Sequence, residues 1–192
     1  MLSLAPPVAL LTVIIFVLLV LLRSALRALR FNSMMKSLAA EYALHYTHPV
    51  KSRPPTVNGF YRGREVVVDT LSGVEDGGGD YTRVRVFHKG EVNNDFTVEG
   101  IGSGGGSDPS LARNIDAGSD FISRFRVTGA DIQKMRKYLD SDMQGKILAA
   151  GLPFTVGKYC VTYLEPWRIT DKVKIVNAMN FLVDAAVKAD TL

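Results

Sequence analysis

One cysteine, Cys160, in 192 residues excludes an internal disulfide and with it the stapled frameworks of small secreted domains. No Asn-x-Ser/Thr acceptor occurs in the chain, so nothing marks it for N-glycosylation. Histidine is nearly as scarce. His45 and His48 lie three apart, His88 is the third, and a zinc site would need further ligands that no spacing supplies, with Pro49 breaking the helix that would align the pair. Ser103, Ser107 and Ser119 sit in no G-x-S-x-G elbow, and no Lys-Ser/Thr pair follows the glycine-rich run to make a P-loop. The sequence therefore assigns no catalytic residue, no cofactor and no metal ligand.

The most telling absence is charge between residues 4 and 22. Nineteen apolar or uncharged positions at ~1.5 Å per residue reach roughly 28 Å, about the hydrocarbon thickness of a bilayer. Pro6 and Pro7 fall where a helix start tolerates them, because the first amides lack intrahelical acceptors. From Val8 to Leu22 only Thr12 is polar. A secretory signal would carry a positive region before the apolar core and a small-residue cleavage site after it, and the sequence offers neither pattern. The expectation is an anchor that stays.

Arg23, Arg27, Arg30 and Lys36 follow on the C-terminal side alone, so the positive-inside rule places the N-terminus outside and the following domain in the cytosol. Between Arg23 and Arg64 eight Lys/Arg face Glu41 alone, a balance of +7, whereas residues 65–192 hold 15 basic and 18 acidic groups, a balance of −3. The basic excess thus lies beside the bilayer, where anionic headgroups attract each nearby cation by ~1 kcal/mol. No aromatic-interleaved basic patch accompanies it, so nucleic acid is not an expected partner. Arg23, Arg27, Arg30 and Lys36 are the expected membrane-surface contacts, and setting topology is the simplest role for them.

Beyond the anchor, residues 33–46 keep a helical apolar repeat, and His48-Pro49 with Pro54-Pro55 open a linker over 47–56. Strands are expected at 57–61, 64–71, 81–88 and 95–99, with short turns that imply antiparallel neighbours. Residues 120–127 read as a further strand, Thr128 and Asp131 as a capping box for a helix to Leu139, and 141–150 as a second helix closed by Gly151. A hairpin across Gly157 joins 153–156 to 158–164, with Cys160 as a small buried hydrophobe. Thr170 is the expected cap of a last helix whose stripe is Val173, Val176, Met179 or Asn180, Val183 and Val187, and Trp167 is expected to pack that helix on the sheet.

The fold class is therefore α+β: an N-terminal transmembrane helix followed by one antiparallel sheet with helices on one face. Three regions follow, namely an anchor and basic flank at 1–30, a membrane-proximal helix and proline-containing linker at 31–56, and a soluble domain at 57–192. The run Asn114-Ile-Asp-Ala-Gly-Ser-Asp-Phe-Ile-Ser-Arg-Phe-Arg-Val-Thr-Gly129, with Asn58-Gly59 and Gly63-Arg64, resembles a pattern in uncharacterised prokaryotic proteins that carry one N-terminal span and a cytosolic α+β domain. That resemblance implies architecture and no activity.

Gly100-Ile-Gly-Ser-Gly-Gly105 spells G-x-G-x-x-G, with Asp120 twenty residues on, but a dinucleotide cradle also needs a parallel βαβ unit that the pattern does not offer. A surface loop is the expected role. Loop acids Glu75, Asp76, Asp80, Asp108, Asp116 and Asp120 leave room for a carboxylate pair if they converge in a pocket. The leading functional expectation is a membrane-anchored cytosolic binding or scaffold domain that recruits or steadies another protein. A membrane-tethered enzyme using acidic loop residues, or a sensor of anionic lipid, are the alternatives.

Overall fold

The computed structural model describes residues 6–50, 54–72, 80–93, 95–101 and 117–192. Its first element, helix α1 (Pro6–Glu41), runs unbroken for 36 residues. At ~1.5 Å per residue that is about 54 Å, well beyond the ~30 Å of a hydrocarbon core. The surplus is used inside the domain. Residues 11–22 are exposed throughout, and the helix they belong to is long and apolar enough to cross a membrane. Phe31, Met35 and Leu38, on the same helix, are fully buried in the core.

The helix closes with a Schellman turn in which Ala43 takes a left-handed φ of 54° and the Leu44 amide donates to the Ala39 carbonyl at 2.9 Å. This corrects the expectation of helix to residue 46, because Leu44 must turn inward and His45–Thr47 then enter the sheet as β1. The following strands are β2 (Thr56–Tyr61), β3 (Arg64–Ser72), β4 (Asp80–Phe87) and β5 (Phe96–Gly100). Next come a short helix α2 (Ser119–Arg124), β6 (Phe125–Gly129), α3 (Ile132–Tyr138) and α4 (Ser141–Ala150). The chain ends with β7 (Phe154–Val156), β8 (Cys160–Pro166) and α5 (Lys172–Ala189).

The eight strands form one antiparallel sheet in the order β1-β2-β3-β4-β8-β7-β5-β6. Val57, Val66, Val68, Val84, Val86, Val161 and Tyr163 alternate inward beneath the helices. On the opposite face, register aligns Arg85, Thr162, Thr155, Thr97 and Thr128 in one row across five strands. This is the expected α+β arrangement of an apolar helix, an antiparallel sheet and covering helices.

Local corrections have local causes. Residues 120–127 divide into α2 and the start of β6, because Phe121 and Phe125, four apart, both reach the core and stack with centroids 5.5 Å apart. Asp131, not Thr128, caps α3 by accepting from the Lys134 amide at 3.1 Å. Asp171, not Thr170, caps α5 by accepting from the Val173 amide at 2.9 Å. The buried residues of α5 are Ile175, Ala178, Met179, Phe181, Leu182, Val183, Ala185, Ala186 and Ala189, so Met179 and Val183 of the expected stripe are buried, while Val173 is 64% exposed and Val187 49%. Small alanines let the helix lie close against β4 and β8. Cys160 is half-buried on the outer face, 3.6 Å from the Thr162 hydroxyl.

Ion pairs fasten the helices at their ends. Lys188 pairs with Asp140, and Arg64 with Asp190. Lys188 and the Met143 amide hold the Asp140 carboxyl below its ordinary range. At Asp190 burial pushes the carboxyl up, but Arg64 and the Lys89 and Gly90 amides pull it further down. Carboxyls lowered in the folded state stabilise it above the unfolded carboxyl range and lose that contribution on acidification. Urea midpoints of the full chain in neutral detergent should hold steady down to about pH 4 and fall below it. In the same assay Leu38→Ala should cost about 2–5 kcal/mol, whereas Leu26→Ala, on the exposed side of α1, should stay within about 0.5 kcal/mol.

Candidate membrane-facing site

The site is built on a buried threonine. Thr82, at 0% exposure in β4, takes the Trp167 carbonyl at its amide (3.2 Å) and its hydroxyl (3.0 Å), and accepts from the Ile169 amide at 2.9 Å. The chain leaving β8 is pinned on both sides of Arg168. Trp167 is thereby held at φ 71°, a left-handed conformation that costs a residue with a side chain about 1–2 kcal/mol. Its indole is 69% exposed, which overturns the expectation that it packs α5 on the sheet.

Trp167 and Arg168 instead face the turns of α1 just beyond the apolar run. Val20, Arg23, Ser24, Arg27 and Ala28 form one wall of a crevice of about 840 Å³, and Asp80, Trp167, Arg168 and Thr170 form the other. Arg168 donates to Asp80 at 2.9 Å, and its guanidinium carbon lies 5.8 Å from the Phe31 ring centroid. Asp80 also accepts from the Ser72 hydroxyl at 2.7 Å. Three arginines against one aspartate leave the crevice cationic. Val20 belongs to the last turn of the apolar run, so Trp167 stands level with the end of that run.

Of the contacts expected from sequence, Arg23 and Arg27 enter this crevice together. Arg30 lines an adjoining hollow with Ser33, Met34, Ser37, Thr170 and Lys172. There Lys172 pairs with Glu41 and holds its carboxyl below the ordinary range. Lys36 stands apart, its ammonium 5.8 Å from the Tyr46 ring centroid and about 20 Å along the helix from Arg23. Trp167, Arg168 and Thr170 were not legible as site residues. The adjacent aromatic and basic side chains were the available signal, but nothing in sequence joins them to a helix 144 residues upstream.

A second cleft, of about 540 Å³, bears on the enzymatic alternative. Asp120, Arg136, Asp140, Ser141 and Gln144 line it. Asp140 is occupied by Lys188 and by the Met143 amide it caps, and Gln144 bridges the Gly118 amide and the Leu139 carbonyl. Asp140 and Gln144 thus hold helix ends together. Glu75, Asp76, Asp108, Asp116 and most of the glycine run lie outside the described residues. Antiparallel pairing of β5 with β6 also departs from the parallel unit a dinucleotide fingerprint needs. His45 faces Asn58 across β1 and β2, His48 meets Tyr46 edge-on, and His88 bonds the Gly157 carbonyl.

An exposed indole in a strained conformation gives a clear expectation for mutation. Trp167→Gly should leave the urea midpoint equivalent to within about 1 kcal/mol of the parent, since relief of φ offsets the small packing loss. A loss of about 3–5 kcal/mol would instead mark the indole as a packing residue.

No protein-family model matches the chain, and no curated protein matches it in sequence. Among solved structures it is similar to the crystal structure of the mycobacterial trehalose monomycolate transport factor A, TtfA. The TM-score is 0.57 at 12% identity, over 84% of this chain and 93% of the other, a likeness of fold alone.

Proposed function

We propose that the protein is a single-pass membrane-anchored scaffold whose domain lies at the cytosolic surface and recruits or steadies a protein partner there, without catalysis of its own. The observation that carries this reading is the continuity of α1. A span followed by a flexible tether would let its domain wander, whereas Phe31, Met35 and Leu38 join the same helix to the domain core. Such a domain presents fixed surfaces at a fixed height, which suits a platform. The basic residues at the cytosolic end of the span support the orientation. A fold shared with a protein named as a transport factor is in keeping with an accessory role at a membrane.

In-cell crosslinking of the full-length chain, followed by mass spectrometry, should capture a reproducible partner that a control of residues 1–30 does not. Inserting Gly-Gly-Ser-Gly after Arg27 should leave the protein in the membrane and folded while sharply reducing that capture. A partner held equally well through the insertion would contradict fixed placement. Protease added to sealed, right-side-out cells should spare the domain, and its digestion would reverse the orientation.

A further inference from the structure

We infer that the crevice between α1 and the segment linking β8 to α5 binds the phosphate group of an anionic lipid. This rests on the membrane residence proposed above and adds a defined ligand site to it. Topology setting accounts for Arg23 and Arg27, which any single-span protein could carry after its anchor. It does not account for Arg168 and Trp167, which arrive from the far end of the domain and face those arginines.

The chemistry of the walls suits a phosphodiester. Arg23, Arg27 and Arg168 offer guanidinium donors in planar forks that match phosphate oxygens. Asp80 neutralises one of them through its 2.9 Å bond to Arg168, so the crevice keeps a net charge of about +2 for a single anionic group. Thr170, also in the lining, is a neutral hydroxyl residue. A site this charged in a soluble domain would accept any phosphate, but Val20 forms part of its wall. A ligand seated there meets the end of the apolar span as well as the cations, and a lipid satisfies both with its acyl chains and its headgroup. Trp167 completes the boundary. Its 69% exposure and its φ of 71° place a large amphipathic ring at the rim, at a backbone cost that the buried Thr82 pins sustain.

The single tryptophan makes the test site-specific, because all indole emission comes from the crevice. The full-length chain is reconstituted in liposomes of phosphatidylcholine and phosphatidylglycerol at constant composition, with acyl-chain bromine carried by one lipid class or the other. Brominated phosphatidylglycerol should quench Trp167 at least about twofold more strongly than brominated phosphatidylcholine at equal mole fraction. Arg27→Gln and Arg168→Gln should remove that difference, and Lys36→Gln should keep it. Arg27 is exposed on α1, so its variant decides the matter if the Arg168 variant fails to fold.

Equal quenching by the two lipids, or a preference that survives both arginine substitutions, would overturn the site while leaving the membrane reading intact. Failure of the protein to float with the liposomes would overturn both. Inorganic phosphate is titrated separately against the chain in neutral liposomes. A saturable emission change there, with no preference between the brominated lipids, would assign the crevice to a free anion and reject a lipid.

Discussion

Burial of the second half of α1 is the constraint on which the rest of the molecule depends. Phe31, Met35 and Leu38 are as enclosed as the valines of the central strands, yet they belong to the same helix as residues 11–22, which are exposed. Removing any of these side chains costs on the order of 2–5 kcal/mol, comparable to much of a domain's net stability. The domain cannot therefore swing away from the helix without exposing its own core. Glu41 paired with Lys172 fastens the end of α1 to the start of α5, and the Tyr61 hydroxyl on Asn180 ties the β2–β3 hairpin to the middle of α5. The placement of the domain relative to the apolar half of α1 follows from this one packing arrangement.

That arrangement also explains why the crevice exists. Once Phe31 is seated in the core, the turns from Val20 to Ala28 pass beside the chain that leaves the C-terminal end of β8, an interior strand of the sheet. What leaves is the Trp167-Arg168 segment, turned back by Thr82 and ion-paired through Asp80. Phe31 is shared between the two, since the Arg168 guanidinium lies over its ring. Core packing and the cationic surface are thus adjacent layers of the same contact, and a change in one is felt in the other.

Much of the architecture was legible because alternation and turn chemistry are local. β2 to β5, α4 and the Gly157 hairpin follow from period-two runs and glycine breaks, and the Arg62-Gly63 turn from its demand for positive φ at both positions. Helix faces read less well. In α5 the expected stripe was right at Met179 and Val183 but wrong at Val173 and Val187, because close packing on a sheet selects alanine, which a hydropathy pattern undervalues. At residues 120–127 an i,i+4 aromatic pair and a strand overlap, and short apolar runs do not distinguish them. The neighbourhood of β2, β3 and β4 was legible from their short turns, but the rest of the strand order was not, because the β7–β8 hairpin enters between β4 and β5 from late in the chain. Half of the crevice was visible as a basic flank. The other half depends on where that late hairpin ends, which only the assembled sheet determines.

The most direct test of rigid coupling is amide hydrogen exchange across residues 20–41 of the full chain in liposomes. A single helix shared by span and core predicts slow exchange that continues without a break through residues 23–30 and into Phe31. Fast exchange confined to 23–30, between two protected halves, would show a hinge at the membrane surface and contradict the account.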